Sequence, residues 1–295
     1  MKKTLFIGCG TALVTPFTQD NKVNYEELKK LLEFQVEQGA DSVIICGTTG
    51  EASTMSLEEK KQVIEFAVET IHKRIPVIAG TGGNCTKSSI ELSQFAEKVG
   101  ADGLLLVTPY YNKTTQKGLI AHFSEIAKNV TIPIILYNVP SRTGMNIEPE
   151  TCLSLSKIPN IVGIKEASGN ISQVVKIAKL CGDDLWIYSG NDDQILPILS
   201  VGGVGVISVL SNIMPKFVHN MVYDYLSGNF TLAKDSQIKA IPLIDCLFSE
   251  VNPIPIKSAL NFMGYKVGNP RLPLVPMSCA KEELLKQEMQ KLKIL

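Results

Sequence analysis

The chain has 295 residues, and its 29 lysines and arginines balance 29 aspartates and glutamates, so the formal net charge is zero. That balance argues against nucleic acid and membrane surfaces as partners, because bulk charge attracts neither of them. Seven scattered cysteines without a CxxC pair and three widely separated histidines predict a reduced, cytoplasmic protein without a metal site. No apolar run approaches the length of a membrane-spanning helix.

Short apolar runs alternate with helical patterns along most of the chain. The runs that predict β-strands cover residues 12–15, 42–46, 76–79, 103–107, 133–137, 161–165, 185–189 and 205–208. A helical pattern follows each run, in residues 25–38, 56–72, 86–99, 114–129, 148–157, 172–181, 192–199 and 215–225. The start of the second helix carries a capping box from Ser56 to Glu59.

These eight β-then-α units predict an α/β fold, a (β/α)8 barrel, because continuous apolar strands between helices form parallel sheets buried on both faces. A doubly wound open sheet is the alternative, but its first βα turn is usually glycine-rich, and here that turn reads TPFTQDNKVN. The rest of the chain has no strand pattern and predicts helices at 232–247, 254–263 and 280–292. We therefore expect a catalytic barrel in residues 1–227 and a small all-helical domain in residues 228–295.

Functional side chains of a (β/α)8 barrel lie at the carboxyl ends of its strands. The predicted strand ends carry one lysine, several hydroxyls and no histidine or cysteine nucleophile: Thr48 and Thr49, Gly80 and Thr81, Tyr110 and Tyr111, Tyr137 and Asn138, Lys165 and Glu166, Gly190 and Asn191, and Ile207 and Ser208. A buried lysine among hydroxyls suits Schiff-base chemistry, since burial favours the neutral amine and hydroxyls relay protons. We expect Glu166 to point to the other face of its strand.

Each of these residues also has a structural interpretation. Lys165 could pair with a carboxylate on a neighbouring strand, and the two threonines could form a turn and a helix cap. The tyrosines could pack at a strand end. Arg142 is one of three arginines and lies in the loop after the fifth strand, where it could bind a carboxylate or form a surface salt bridge.

Several motifs in fixed order resemble the dihydrodipicolinate synthase/N-acetylneuraminate lyase family of Schiff-base class I aldolases. They are GTTGE at 47–51, AGTGGN at 79–84, TPYYN at 108–112, YNVPSRTG at 137–144, GIKEASG at 163–169, SGNDD at 189–193, GVISV at 205–209 and NPIPIK at 252–257. GTTGE and the arginine of YNVPSRTG favour the synthase branch. The resemblance implies condensation of pyruvate with L-aspartate 4-semialdehyde, on the route to diaminopimelate and lysine, without a cofactor.

The resemblance also implies catalytic roles for individual residues. Lys165 would form the imine with pyruvate, and Tyr137 would donate and accept protons beside it. Thr48 would connect Tyr137 to Tyr111 in a proton relay. In this family the tyrosine that matches Tyr111 reaches the neighbouring subunit's site, so the relay would need at least a dimer, and a homotetramer built as a dimer of dimers is expected.

Substrate contacts follow from the same resemblance. Thr49, together with Thr48, would hold the pyruvate carboxylate, and Arg142 would bind the carboxylate of the semialdehyde. Gly190 and Ile207 would place backbone carbonyls near the site.

The sequence departs from the family's lysine-inhibited members at the feedback site. Leu57 and Lys60 stand where those members have histidines, and Ser88 stands where they have a glutamate, while Asn84 and Tyr110 are retained. A lysine near an intended ammonium site is repulsive, so we expect weak or absent inhibition by lysine. Two alternatives remain: an aldolase of this family acting on N-acetylneuraminate or a 2-keto-3-deoxy sugar acid, and a catalytically silent barrel used for binding or assembly.

Overall fold

The computed structural model describes residues 2–295, in which eight parallel strands close into a barrel. The strands are β1 Gly8–Ala12, β2 Ser42–Ile45, β3 Val77–Gly80, β4 Gly103–Val107, β5 Ile134–Asn138, β6 Ile161–Glu166, β7 Trp186–Ser189 and β8 Gly205–Ser208. Strands that are consecutive in sequence pair with each other, and β8 closes on β1 with Gly205 opposite Gly8. The predicted (β/α)8 barrel is confirmed and the open-sheet alternative is wrong.

Helices surround the barrel, and further helices form the part of the chain that follows it. They are α1 Tyr25–Glu37, α2 Leu57–Ile71, α3 Thr86–Lys98, α4 Gln116–Lys128, α5 Pro140–Thr143, α6 Pro149–Ser156, α7 Ile171–Cys181, α8 Ile195–Leu199, α9 Pro215–Leu226, α10 Phe230–Leu247, α11 Ile254–Phe262 and α12 Cys279–Lys291. The predicted capping box is present, with Glu59 N donating to Ser56 Oγ over 3.1 Å and Ser56 N to Glu59 Oε2 over 2.9 Å. No helix among residues 2–295 combines the length and apolarity needed to cross a membrane.

The first strand lies earlier than predicted: it covers Gly8–Ala12, whereas the prediction placed it at residues 12–15. The prediction followed the apolar run that begins at Ala12, and glycine residues such as Gly8 and Gly10 usually weaken a strand. Here close packing requires them. A Cβ at Gly10 would lie 2.6 Å from the Phe6 ring, and one at Gly205 would lie 2.1 Å from the Gly8 carbonyl oxygen.

The amino-terminal end of the barrel is closed by aromatic packing. Phe6 stacks on Tyr188 of β7 with 4.6 Å between ring centroids, and the Tyr188 hydroxyl donates to the Phe6 carbonyl oxygen over 2.8 Å. Both residues belong to a small apolar cluster inside the barrel, separate from the large core between the barrel and its helices. The opposite end, where the strands have their carboxyl termini, carries the open cavity.

Helices α10, α11 and α12 pack onto the barrel through the same apolar core as the outer helices, so the division at residues 227 and 228 stays a prediction. A buried ion pair also joins them to the barrel. Lys257 of α11 lies 2.7 Å from the Glu51 carboxylate, which follows β2, and both side chains are 1% exposed. Burial lowers the pKa of Lys257, and the Glu51 charge opposes that shift.

The substitution Lys257→Met should reduce the free energy of unfolding by about 3–5 kcal/mol, because it leaves the Glu51 carboxylate buried without its counter-ion. Urea denaturation followed by circular dichroism, at one fixed protein concentration, measures the change. Lys234→Met is the matched control, since Lys234 and its partner Asp235 are both exposed. Equal midpoints for the two variants would contradict a stabilising role for the buried pair.

Candidate active site

The carboxyl ends of β2 to β5 border a cavity of about 270 Å³. Its polar lining comprises Thr48, Ser53, Lys60, Tyr110, Tyr137, Arg142 and Thr143. No carboxylate of residues 2–295 lines this cavity, so its two cationic side chains give it a positive character. Such a wall suits anionic substrates whose reaction requires proton transfer by hydroxyl groups.

Lys165 and Tyr137 are neighbours across two strands. The parallel register places Tyr137 of β5 opposite Lys165 of β6, and the lysine Nζ lies 4.5 Å from the centroid of the tyrosine ring. Lys165 is only 5% exposed. Within the described part of the chain it forms no salt bridge, although the charge of the buried Asp192 side chain, just after β7, interacts with it. The aromatic face stabilises the ammonium without neutralising it.

Gly190 leaves room for the lysine side chain. A Cβ at this position would lie 3.1 Å from Lys165 Cε and 2.6 Å from the Cβ of Ala167. Ile207 lies on β8 and is fully buried in the apolar cluster inside the barrel. The structure therefore places Gly190 against the lysine and Ile207 within the inner wall of the barrel.

The two threonines follow β2 in a turn that is tied to other parts of the chain. Glu51 N donates to the Thr48 carbonyl oxygen over 3.1 Å, and Thr15 Oγ1 donates to the Gly50 carbonyl oxygen over 2.7 Å. Thr48 borders the cavity, whereas Thr49 is buried. The predicted turn is thus present, and it also presents Thr48 to the cavity.

Arg142 lies on α5, a single turn of helix that the sequence pattern did not predict. Its Nη2 donates to the carbonyl oxygen of Asn252 over 3.2 Å, and its side chain borders the cavity. It makes no salt bridge with any residue of 2–295, so the rest of its guanidinium group is available for an anion.

Tyr111 is not brought to the other predicted residues within one chain. Its side chain is 92% exposed and does not border the cavity, whereas the neighbouring Tyr110 does. The backbone of Tyr111 has a φ of 68°, a left-handed conformation that is uncommon for a residue with a bulky side chain. Such strained positions cluster at functional sites.

Glu166 points away from Lys165, as expected, and fixes the outer side of the same strands. Its carboxylate accepts hydrogen bonds from Asn138 Nδ2 over 3.0 Å, from Gln173 Nε2 over 3.2 Å and from Ser168 N over 2.7 Å. Because Asn138 follows Tyr137 on β5, this buried network fixes the two strands that carry the lysine and the tyrosine.

Other residues at the site were missed by the sequence analysis. Cys46 borders the cavity, but burial raises the pKa of its thiol to about 12, so it remains protonated. Asp192 is buried; its Oδ2 accepts from the backbone N of Val209 and Leu210 at 3.0 Å each, and burial raises its pKa. Asn252 contacts both Thr49 and Arg142. Asp192 and Asn252 each lie within a quoted motif, which was the available signal.

Residues 2–295 contain no cluster of three or more side chains suited to hold a metal ion. All seven cysteines are free thiols.

Comparison with known proteins shows the family of this chain. The model of the dihydrodipicolinate synthetase family matches residues 5–292. A 4-hydroxy-tetrahydrodipicolinate synthase 1 from Clostridium acetobutylicum is 58% identical over 287 residues, which are 97% of this chain and 98% of that protein.

Solved structures give the same result. Dihydrodipicolinate synthase from Aquifex aeolicus superimposes with a TM-score of 0.96 at 44% identity, covering 98% of this chain and 99% of that one. The enzyme from Cyanidioschyzon merolae, solved with lysine bound, has a TM-score of 0.97 at 39% identity, covering 99% and 100%. The fold and the site define a (β/α)8-barrel protein with a buried lysine at a strand end. This chain belongs to the dihydrodipicolinate synthetase family.

Proposed function

We propose that this protein is a 4-hydroxy-tetrahydrodipicolinate synthase, which condenses pyruvate with L-aspartate 4-semialdehyde in the diaminopimelate and lysine pathway. The observation that carries the proposal is the position of the buried Lys165 amine, which lies 4.5 Å from the centroid of the Tyr137 ring. Tyr137 in turn borders the positively charged cavity. Membership of the family and a relative that carries this name at 58% identity support it.

The proposed reaction begins when the neutral Lys165 amine attacks the carbonyl carbon of pyruvate. The carbinolamine loses its hydroxyl group as water and becomes an imine, and loss of a methyl proton then gives an enamine. The enamine carbon attacks the aldehyde carbon of the semialdehyde. Tyr137 donates and accepts the protons of these steps, and Thr48 passes them between Tyr137 and Tyr111.

Both substrates carry a carboxylate, and we assign a separate group to each. Thr49 and Thr48 hold the pyruvate carboxylate close to Lys165. Arg142 holds the semialdehyde carboxylate at the entrance with a guanidinium group that has hydrogen-bond donors to spare. Gly190 and Ile207 supply backbone carbonyls near the imine.

Sodium borohydride with pyruvate should attach a three-carbon group to Lys165, because borohydride reduces the imine to a stable amine. Peptide mass spectrometry locates the adduct.

The substitution Arg142→Ala should keep this adduct but lower kcat/KM for the semialdehyde by about 100-fold, because it removes one charged hydrogen-bonding group. Absence of an adduct in the unmodified protein would leave the silent barrel, and faster cleavage of a sugar acid than condensation would favour the aldolase alternative.

We further propose a homotetramer, a dimer of dimers, in which Tyr111 enters the site of the neighbouring subunit. Tyr111 is 92% exposed and its backbone is left-handed, and both observations support this, since an exposed aromatic side chain on a constrained backbone suits a contact with another chain.

We also propose a cytoplasmic location, supported by seven free cysteines. We propose no nucleic acid or membrane partner.

Co-expression of two inactive variants tests the assignment of Tyr111. In a mixed dimer of Lys165→Met and Tyr111→Phe subunits, a tyrosine that acts in the partner's site leaves one complete site, so activity should return. A tyrosine that acts in its own subunit leaves no complete site, and the mixed dimer should stay inactive. Two different affinity tags isolate the mixed species, and each variant paired with itself is the control.

We propose that lysine inhibits this protein weakly or not at all, because Lys60 borders the cavity and repels a ligand with a net positive charge. Initial rates measured with increasing lysine should stay constant through the millimolar range. Lys60→His is the matched variant and should increase sensitivity. Half-maximal inhibition of the unmodified protein at sub-millimolar lysine would contradict the proposal.

A further inference from the structure

The segment between α10 and α11 touches two groups of the active site through a single residue. Asn252 Nδ2 donates to Thr49 Oγ1 over 3.0 Å, and the Asn252 carbonyl oxygen accepts from Arg142 Nη2 over 3.2 Å. Asn252 is buried. Its side chain therefore contacts one candidate carboxylate-binding residue, and its backbone contacts the other.

The direction of the first hydrogen bond determines what Thr49 can do. A hydroxyl group has one proton to donate and two lone pairs that accept. The Asn252 amide occupies a lone pair, and the Thr49 hydroxyl donates to no acceptor among residues 2–295. Its proton is therefore free for a third group. Thr49 is buried, but the adjacent Thr48 borders the cavity, so a carboxylate bound beside Thr48 is the third group that Thr49 can meet.

The Asn252 side chain leaves one of its two polar atoms unpaired while the other makes this contact. Its Oδ1 is buried and has no hydrogen-bond partner in the described part of the chain. Buried amide oxygens are normally paired, and unpaired ones require an explanation. A role in orienting Thr49 explains why the amide nitrogen is used here while the oxygen remains unpaired.

A second contact fixes the spacing of the same two segments. Two residues after Thr49, the Glu51 carboxylate pairs with Lys257, which lies five residues after Asn252. Lys257 Nζ also donates to the Asn269 carbonyl oxygen over 3.2 Å. The segment that carries Asn252 is thus held against the turn after β2 at two points, so the amide meets the hydroxyl in a fixed geometry.

We propose that Asn252 is a positioning residue that directs the Thr49 hydroxyl proton toward the pyruvate carboxylate while its backbone holds Arg142 at the entrance of the site. The identity of the two ligands rests on the proposed function. The side chain and the backbone of Asn252 act on different substrates, so a side-chain substitution should separate their effects.

Steady-state kinetics of Asn252→Ala and Asn252→Asp test this proposal. Asn252→Ala should raise KM for pyruvate about tenfold, the effect of losing one hydrogen bond, and change KM for the semialdehyde less than twofold because the backbone carbonyl remains. Asn252→Asp should raise KM for pyruvate further, since a carboxylate attracts the Thr49 proton and repels the substrate anion. Protonation of that carboxylate at low pH should reduce its effect.

The controls separate positioning from stability. Asn261→Ala removes an amide of α11 that donates to the Gly268 carbonyl oxygen, and it should leave both KM values unchanged. In a Thr49→Val background, Asn252→Ala should add no further increase in KM for pyruvate, because the hydroxyl is already absent. If Asn252→Ala does not fold, the isosteric Asn252→Asp variant and its pH profile provide the test.

The outcomes also separate this inference from the proposed function. If the unmodified protein forms the pyruvate adduct but Asn252→Ala and Asn252→Asp leave KM for pyruvate unchanged, the positioning role is wrong and the proposed function stands. Equal increases in both KM values would also contradict it, since they indicate a general disturbance of the site. If the unmodified protein forms no adduct, the proposed function fails first.

Discussion

The burial of Lys165 against the ring of Tyr137 is the constraint on which the rest of the site depends. Lys165 is 5% exposed and loses most of its hydration, and no salt bridge within the described chain replaces it. The aromatic face at 4.5 Å compensates in part. The Lys165 side chain is thereby held at the strand end, beside a ring that borders the cavity.

The strands that carry this pair are held from outside the barrel. The Glu166 carboxylate accepts hydrogen bonds from three groups, one of them the side chain of Asn138 on the neighbouring strand. Glu166 and Lys165 are consecutive, so they face opposite sides of β6. Hydrogen bonding on the outer side thus fixes the geometry on the inner side. The negative charge of Glu166 is directed away from the amine and does not neutralise it.

Local patterns predicted the parts of this protein that depend on neighbouring residues in sequence. The strands end close to their predicted positions at Tyr137 and Lys165, because an apolar run followed by polar residues marks the edge of the core. β1 was misplaced because Gly8 and Gly10 serve close contacts that involve Gly205 and Phe6, which no local pattern reveals.

The same limit applies to the site. The predicted relay included Tyr111, which within one chain lies in solvent, so its place depends on contacts that the single chain does not contain. Asn252 is about two hundred residues from Thr49, and its position follows from tertiary packing of the segment before α11. Its motif, NPIPIK, identified the family but gave no physical reason for the asparagine.

The charge of the cavity connects substrate choice with regulation under the proposed function. Lys60 and Arg142 line a wall without carboxylates, and both proposed substrates carry a carboxylate, so the field at the entrance attracts them. The same field repels a ligand with a net positive charge. Under the proposed function and the proposed weak inhibition by lysine, the charge of Lys60 acts in both through one electrostatic effect: it attracts the anionic substrates and repels a cationic ligand. Because bulk salt screens such a field, both consequences should decrease together as ionic strength rises.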